Sequence, residues 1–314
     1  MAKYREDLPQ IEGGIFLTDG GLETTLIFNE GLNLPEFAAF DLLKNDEGRE
    51  KLNQYFSGYA EIARKNKIGF ILESPTWRAS SIWGEKLGYS NKNLKDFNHK
   101  AIELLQEVRG KFENEETQIV ISGCIGPMSD NYDPKILVSE DEAQGYHSQQ
   151  IASFAETEAD MISAFTMSNV TEAIGVTRAA VEAKMPVVIS FAVEPDGKLP
   201  SGVTLQDAIK KVDDATDEAP AYYMINCAHS LHFNRVLVQN NRYIQRIRGI
   251  RAHSSNKSRA ELKAAKEADY GNPNEIGYHY YELTLKLYQL NVFGGCCGTN
   301  LNHAKAICKS CIHD

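Results

Sequence analysis

Cysteine is scarce in this chain, six among 314 residues, and a chain so long with so few thiols is not a disulfide-stapled scaffold. Positive charge is in deficit as well. Lys and Arg number 33 against 43 Asp and Glu, for a net charge of −10. Neutralising a phosphate backbone takes clustered basic side chains, so nucleic acid is disfavoured and not expected as a partner. The one basic cluster, "NRYIQRIRGIRAH" (241–253), alternates with Ile and Tyr and is expected to form a strand with solvated flanks. No stretch reaches the ~18 apolar residues of a membrane span, and the opening "MAKYREDLPQ" has no signal-peptide core. A cytoplasmic protein with reduced thiols and no membrane partner is expected, and its few cysteines become candidates for metal binding or nucleophilic chemistry.

What the chain does have is a recurring pair of patterns. Eight short apolar runs follow one another: "GIFLTDGG" (14–21), "IGFILESPT" (68–76), "QIVISGCIGP" (118–127), "ADMISAFTMS" (159–168), "MPVVISFAVE" (185–194), "AYYMINCAH" (221–229), "RIRGIRAHS" (246–254) and "NVFGGCCG" (291–298). Runs that are nearly continuously apolar suit strands buried on both faces of a parallel sheet. Between them, segments such as 48–67, 94–112, 139–159 and 169–184 repeat apolar residues at three- and four-residue steps, the helical period. Ser139 followed by acidic residues is a helix N-terminus signature. Eight alternating units with no compositional break predict one domain over residues 1–314, an α/β fold of the single (β/α)8 TIM-barrel type; a doubly wound sheet is the alternative.

In such a barrel the chemistry gathers at the C-terminal ends of the strands. Those ends carry Asp19-Gly20-Gly21, Glu73-Ser74, Cys124, Glu194, Asn226-Cys227, His253 and the adjacent pair Cys296-Cys297. Cys227 and the pair fall on one rim, and Gly294, Gly295 and Gly298 permit a sharp turn that would let both thiols reach one ion. Three thiolates without a fourth protein ligand describe an open Zn²⁺ site, the fourth position being left for substrate. Such a centre suits alkyl transfer to sulfur better than hydrolysis. Burial of the cysteines as small hydrophobes is the competing reading, and it is the one adopted for Cys124. "CKSC" (308–311) followed by His313 has ligand-like spacing but is expected to be a frayed C-terminal helix with incidental thiols.

Asp19-Gly20-Gly21, Asn226-Cys227 and Gly294-Gly295-Cys296-Cys297-Gly298-Thr299, in that order, resemble the homocysteine S-methyltransferase family, from about Gly14 to Ile307. The resemblance implies a (β/α)8 barrel and a catalytic Zn²⁺ held by Cys227, Cys296 and Cys297. It also implies two small-molecule partners, a thiol acceptor and a methyl donor of the sulfonium type. Asp19 matches a residue that helps hold the acceptor, and Asn226 one that orients its neighbour or lines the pocket. Gly20 and Gly21 would offer N–H groups to a substrate carboxylate, and Thr166 would line the acceptor site. One position departs from the family: Phe165 stands before Thr166 where a Glu that meets the acceptor's ammonium is common. Glu73 or Glu194 is then a candidate for the missing charge, and the acceptor is homocysteine or a related thiol. A zinc barrel acting on another sulfur compound, or a non-catalytic zinc module, are the alternatives. Trp77 and Arg78 are read as donor contacts or an aromatic lid, Tyr222 and Tyr223 as core, and His229 and His253 as supporting residues.

Overall fold

The computed structural model describes residues 2–129, 138–238, 241–257 and 269–312. Eight parallel strands close into a barrel in sequence order: β1 (Phe16–Thr18), β2 (Gly69–Glu73), β3 (Ile119–Ile125), β4 (Met161–Met167), β5 (Val187–Ala192), β6 (Tyr222–Asn226), β7 (Ile247–Ala252) and β8 (Val292–Gly295). β8 pairs back onto β1 through Val292 and Phe293. The TIM barrel expected from the alternation is therefore the fold. The long helices Asp46–Lys65, Asn91–Phe112, Glu140–Ala155, Val170–Glu182, Leu205–Thr216, Pro273–Lys286 and Leu301–Cys311 pack around it. Their starts are fixed locally. Asn45 accepts from the Gly48 N–H, and Ser139 with Glu142 forms a reciprocal capping box, as the acidic first turn suggested.

Two apolar clusters divide the core, and strand alternation explains the division. Phe16, Ile71, Val120, Met161, Phe165, Val188, Tyr222, Met224 and Val292 fill the lumen, while Ile162, Ile189, Tyr223, Ile225 and Phe293 face the helices. Tyr222 and Tyr223 thus point to opposite sides; the Tyr223 hydroxyl donates to Asp213 at 2.7 Å. The N-terminal segment closes the lower end of the lumen. Leu8 belongs to the luminal cluster and Tyr4 packs against it, and Arg5 donates to the carbonyls of Ala155, Thr157 and Ala159. The free end of the lumen is the one where the strands terminate.

Two expectations need correction. The basic stretch 241–253 does hold a strand, β7, but its flanks are not simply solvated: a 3₁₀ turn (Ile244–Arg246) leads into the strand, and Arg251 is buried. The C-terminal thiols are not frayed: Cys308 and Cys311 are buried in the outer core on the last helix. His313 lies outside the described residues. No described helix is long and apolar enough to cross a membrane.

Candidate active site

A cavity of about 270 Å³ opens at the C-terminal ends of the strands, lined by Asp19, Glu73, Phe165, Asn226 and the three cysteines among others. Cys227 directly follows β6, and Cys296 and Cys297 directly follow β8. β7 lies between these two strands and clamps both loops: its Arg251 carbonyl accepts from the Cys227 N–H at 3.2 Å, and its Ala252 carbonyl from the Cys296 N–H at 2.9 Å. Residues distant in sequence therefore converge. The three Sγ atoms all lie within 4.8 Å of one another, with Cys296 and Cys297 sulfurs 4.0 Å apart. Among the described residues, this is the one group of three or more His, Cys, Asp or Glu side chains placed to share a metal ion.

The backbone conformations that make this possible are not all where glycine was expected. Gly294 and Gly295 end β8 rather than forming the turn. The left-handed positions are Gly298 (φ 77°) and Cys227 itself (φ 57°), the latter a conformation that non-glycine residues adopt at an energetic cost. Gly21 serves close approach, since a Cβ there would stand 2.6 Å from the Cys296 carbonyl oxygen. The thiols burden one another electrostatically. The hydrogen bond to Cys227, ahead of burial, pushes Cys296 up to about 12, and the same partner raises Cys297 well above its ordinary range. Three thiolates in this space call for a cation.

The residue that sequence reading missed is Arg251. Its guanidinium pairs with Asp19 Oδ1 at 2.7 Å. Nε donates to the Gly295 carbonyl at 2.9 Å and Nη2 to the Gly20 carbonyl at 3.0 Å. The Phe165 ring covers it, with the centroid 4.7 Å from Cζ. Burial alone would lower the pKa of Arg251, but Asp19 and Glu73 beside it outweigh that and raise it. Burial in turn raises Asp19, against the pull of Arg251 and of the Tyr55 hydroxyl, which donates to Oδ2 at 3.1 Å. A signal was present in the sequence: Ile250 and Ala252 face the helices, so period-two alternation turns Arg251 toward the lumen.

Asn226 and Thr166 form a second unit. Asn226 Oδ1 accepts from the Thr166 N–H at 2.9 Å and from Ser190 Oγ at 2.7 Å, and Nδ2 donates to Thr166 Oγ1 at 2.9 Å. Thr166 stands at φ 65° beside a register irregularity between Ala164 and Met167. A β-branched residue there is strained, and the Asn226 amide holds it. Asn226→Ala removes three buried hydrogen bonds and is expected to cost about 2–3 kcal/mol. Urea unfolding checks this, and a loss near zero would show that Thr166 holds itself.

The other singled-out residues fall as follows. The Gly21 N–H is spent on the carbonyl and hydroxyl oxygens of Thr299, both at 3.2 Å, which corrects its assignment as a carboxylate receiver. Gly20 lines the cavity, and Cys124 lines it as a buried thiol outside the cluster. Trp77 and Arg78 line the mouth, the Arg78 guanidinium lying 4.1 Å and 3.3 Å from the ring centroids of Trp77 and Trp83. Glu194, His229 and His253 surround a separate small hollow beside Cys227. Burial, then His279, lowers His229 to about 4.

The sequence profile of homocysteine S-methyltransferases matches residues 16–311 of the chain. Two solved structures of the Escherichia coli homocysteine methyltransferase MmuM share the fold. The metallated form has a TM-score of 0.73 at 15% identity, covering 97% of this chain and 99% of that one. The oxidised form has a TM-score of 0.71 at 16% identity, covering 93% and 94%. No curated protein sequence matches the chain.

Proposed function

Because the chain belongs to the homocysteine S-methyltransferase family, and is thereby an enzyme of thiol S-methylation, we propose that it is zinc-dependent and moves a methyl group from a sulfonium donor to homocysteine or a related thiol. The observation that carries the reading is the convergence of Cys227, Cys296 and Cys297 in the wall of one cavity. Tetrahedral zinc with ~2.3 Å bonds to sulfur separates its thiolates by about 3.8 Å, and the 4.0 Å between Cys296 and Cys297 is near that value. No fourth His, Cys, Asp or Glu joins the cluster among the described residues, which fits an open site better than a structural one.

Bound zinc would hold the acceptor sulfur as a thiolate at neutral pH. In the transfer, that sulfur forms a bond to the donor's methyl carbon. The bond from this carbon to the donor sulfonium breaks, and its electron pair stays on the donor sulfur, leaving a neutral thioether. The chain's own part is placement. Arg251 and Asp19 lock the ends of β1 and β8 against each other, and Asn226 sets Thr166 at the cavity wall. Phe165, Trp77 and Phe37 present apolar surface around the reacting atoms, which limits access of water and disperses no charge from the thiolate. With homocysteine as acceptor the product is methionine, and reduced thiols at the site suit a cytoplasmic enzyme. A different thiol acceptor is the second reading, favoured by the uncharged Phe165 wall.

The test is metal analysis followed by transfer. Purified protein is expected to hold one equivalent of zinc and to methylate homocysteine from S-methylmethionine or S-adenosylmethionine. Chelation should remove more than nine-tenths of the rate, and zinc should restore it. Zinc-loaded protein inert toward homocysteine and toward a panel of other thiols would refute the proposal.

A further inference from the structure

Glu73 is the last residue of β2 and points into the lumen, 4% exposed, where it lines the same cavity as the thiol cluster. Its Oε1 accepts from Ser163 Oγ at 3.0 Å, and Ser163 is itself tied to Ser122 at 2.7 Å. Oε2 is fully buried and has no hydrogen-bond partner. A buried, half-satisfied carboxylate is costly, and native proteins retain such groups where a ligand completes them. The rival groups are already committed. Asp19 Oδ1 makes no hydrogen bond but is ion-paired with Arg251, and Oδ2 accepts from Tyr55, whereas Glu73 Oε2 has neither. Arg251 spends Nε and Nη2 on Gly295, Gly20 and Asp19. Phe165, on β4, covers the guanidinium with an uncharged ring.

On the reading of this cavity as a thiol-acceptor site, we propose that the open oxygen of Glu73 receives the ammonium group of the acceptor, making Glu73 the specificity determinant for short amino thiols. The spacing sets the class. β2 stands two strands from β8, with β1 between them, about 10 Å along the barrel wall. Glu73 and the three cysteines line one cavity, so a thiol and an amine separated by a few carbons would bridge the remaining gap. Burial holds Glu73 up at about 7, with Arg251 opposing and Asp19 adding to the rise. An arriving ammonium supplies the counter-charge that Arg251, committed to Asp19, does not.

The experiment compares homocysteine with 4-mercaptobutanoate, the same chain lacking the amino group, in zinc-loaded wild type and Glu73→Gln, with S-methylmethionine as donor. Wild type is expected to favour homocysteine. Glu73→Gln should lower kcat/KM for homocysteine by about 30-fold, chiefly through KM, the factor that a charge-assisted buried contact carries. For 4-mercaptobutanoate it should change little. The near-isosteric Gln also has a stability readout. Because the folded-state pKa is raised, stability tied to protonated Glu73 is present below its unfolded value and is lost as pH climbs through about 7. Metal-free Glu73→Gln should therefore melt above wild type at pH 8 and lose that advantage toward pH 4. Equal loss with both thiols, or a wild type indifferent to the amino group, would overturn the assignment while leaving the methyltransferase reading intact. Absence of transfer to either thiol by zinc-loaded wild type would overturn homocysteine as the acceptor, and the assignment with it.

Discussion

Replacing Cys297 with serine is expected to empty the metal site and reduce methyl transfer by about three orders of magnitude. Two factors multiply. A free thiol with a pKa of ~8.5 is only a few per cent thiolate at pH 7, a loss of about 30-fold in nucleophile. Loss of the anchor that orients the acceptor sulfur toward the donor supplies a further factor of at least similar size. Cys227→Ser and Cys296→Ser should behave alike, since all three sulfurs share one small volume. Metal analysis after dialysis against a mild chelator and single-turnover transfer assays would measure both effects. Zinc uptake by wild-type apoprotein should also release protons at pH 7, because Cys296, raised to about 12, starts protonated. Cys308→Ala is the control: it lies in the outer core on the last helix, so it should cost stability but neither zinc nor rate. Full zinc and full activity in Cys297→Ser would remove the cluster from the chemistry.

How much of this was legible beforehand differs between scaffold and site. Apolar runs at regular spacing encode a parallel barrel because strands buried on both faces must be apolar throughout, so the eight strands could be read one by one. The thiol cluster was legible from the adjacent Cys296 and Cys297 at a strand end taken together with the family resemblance; adjacency alone left burial as small hydrophobes open. Other features depended on tertiary facts. Arg251 in a run of basic residues resembles a solvated charge until β7 is seen between β6 and β8, with Asp19 opposite. Gly21 looked like an N–H donor for a ligand, but its hydrogen goes to Thr299, a residue 278 positions away. Closure of the barrel creates that contact, and no local pattern announces it. The strain at Thr166 and Cys227 was equally invisible, because neither residue type advertises a left-handed backbone.

Arg251→Met is expected to destabilise the protein more than any other single substitution at the rim. Arg251 is the cation for Asp19, and removing one member of a buried pair strands the other charge, at about 3–5 kcal/mol. For a chain of this length that is a fall in melting temperature of roughly 5–10 °C. The same guanidinium holds the carbonyls of Gly20 and Gly295, and Gly295 immediately precedes the cysteine pair. Zinc affinity should therefore drop as well, by about 10–100-fold, as when a group supporting a metal ligand is lost. The Asp19→Asn/Arg251→Met double variant discriminates between the two effects. With the stranded carboxylate gone, it should recover about 1–3 kcal/mol relative to the sum of the single changes. Zinc affinity should stay low, because neither side chain then ties β1 to β8. Calorimetric melting of the four proteins, with competitive zinc titration, gives both quantities. Strict additivity in stability would mean that Asp19 and Arg251 are neighbours without coupling. Unchanged zinc affinity in Arg251→Met would mean that the cysteine loop holds its shape without the guanidinium.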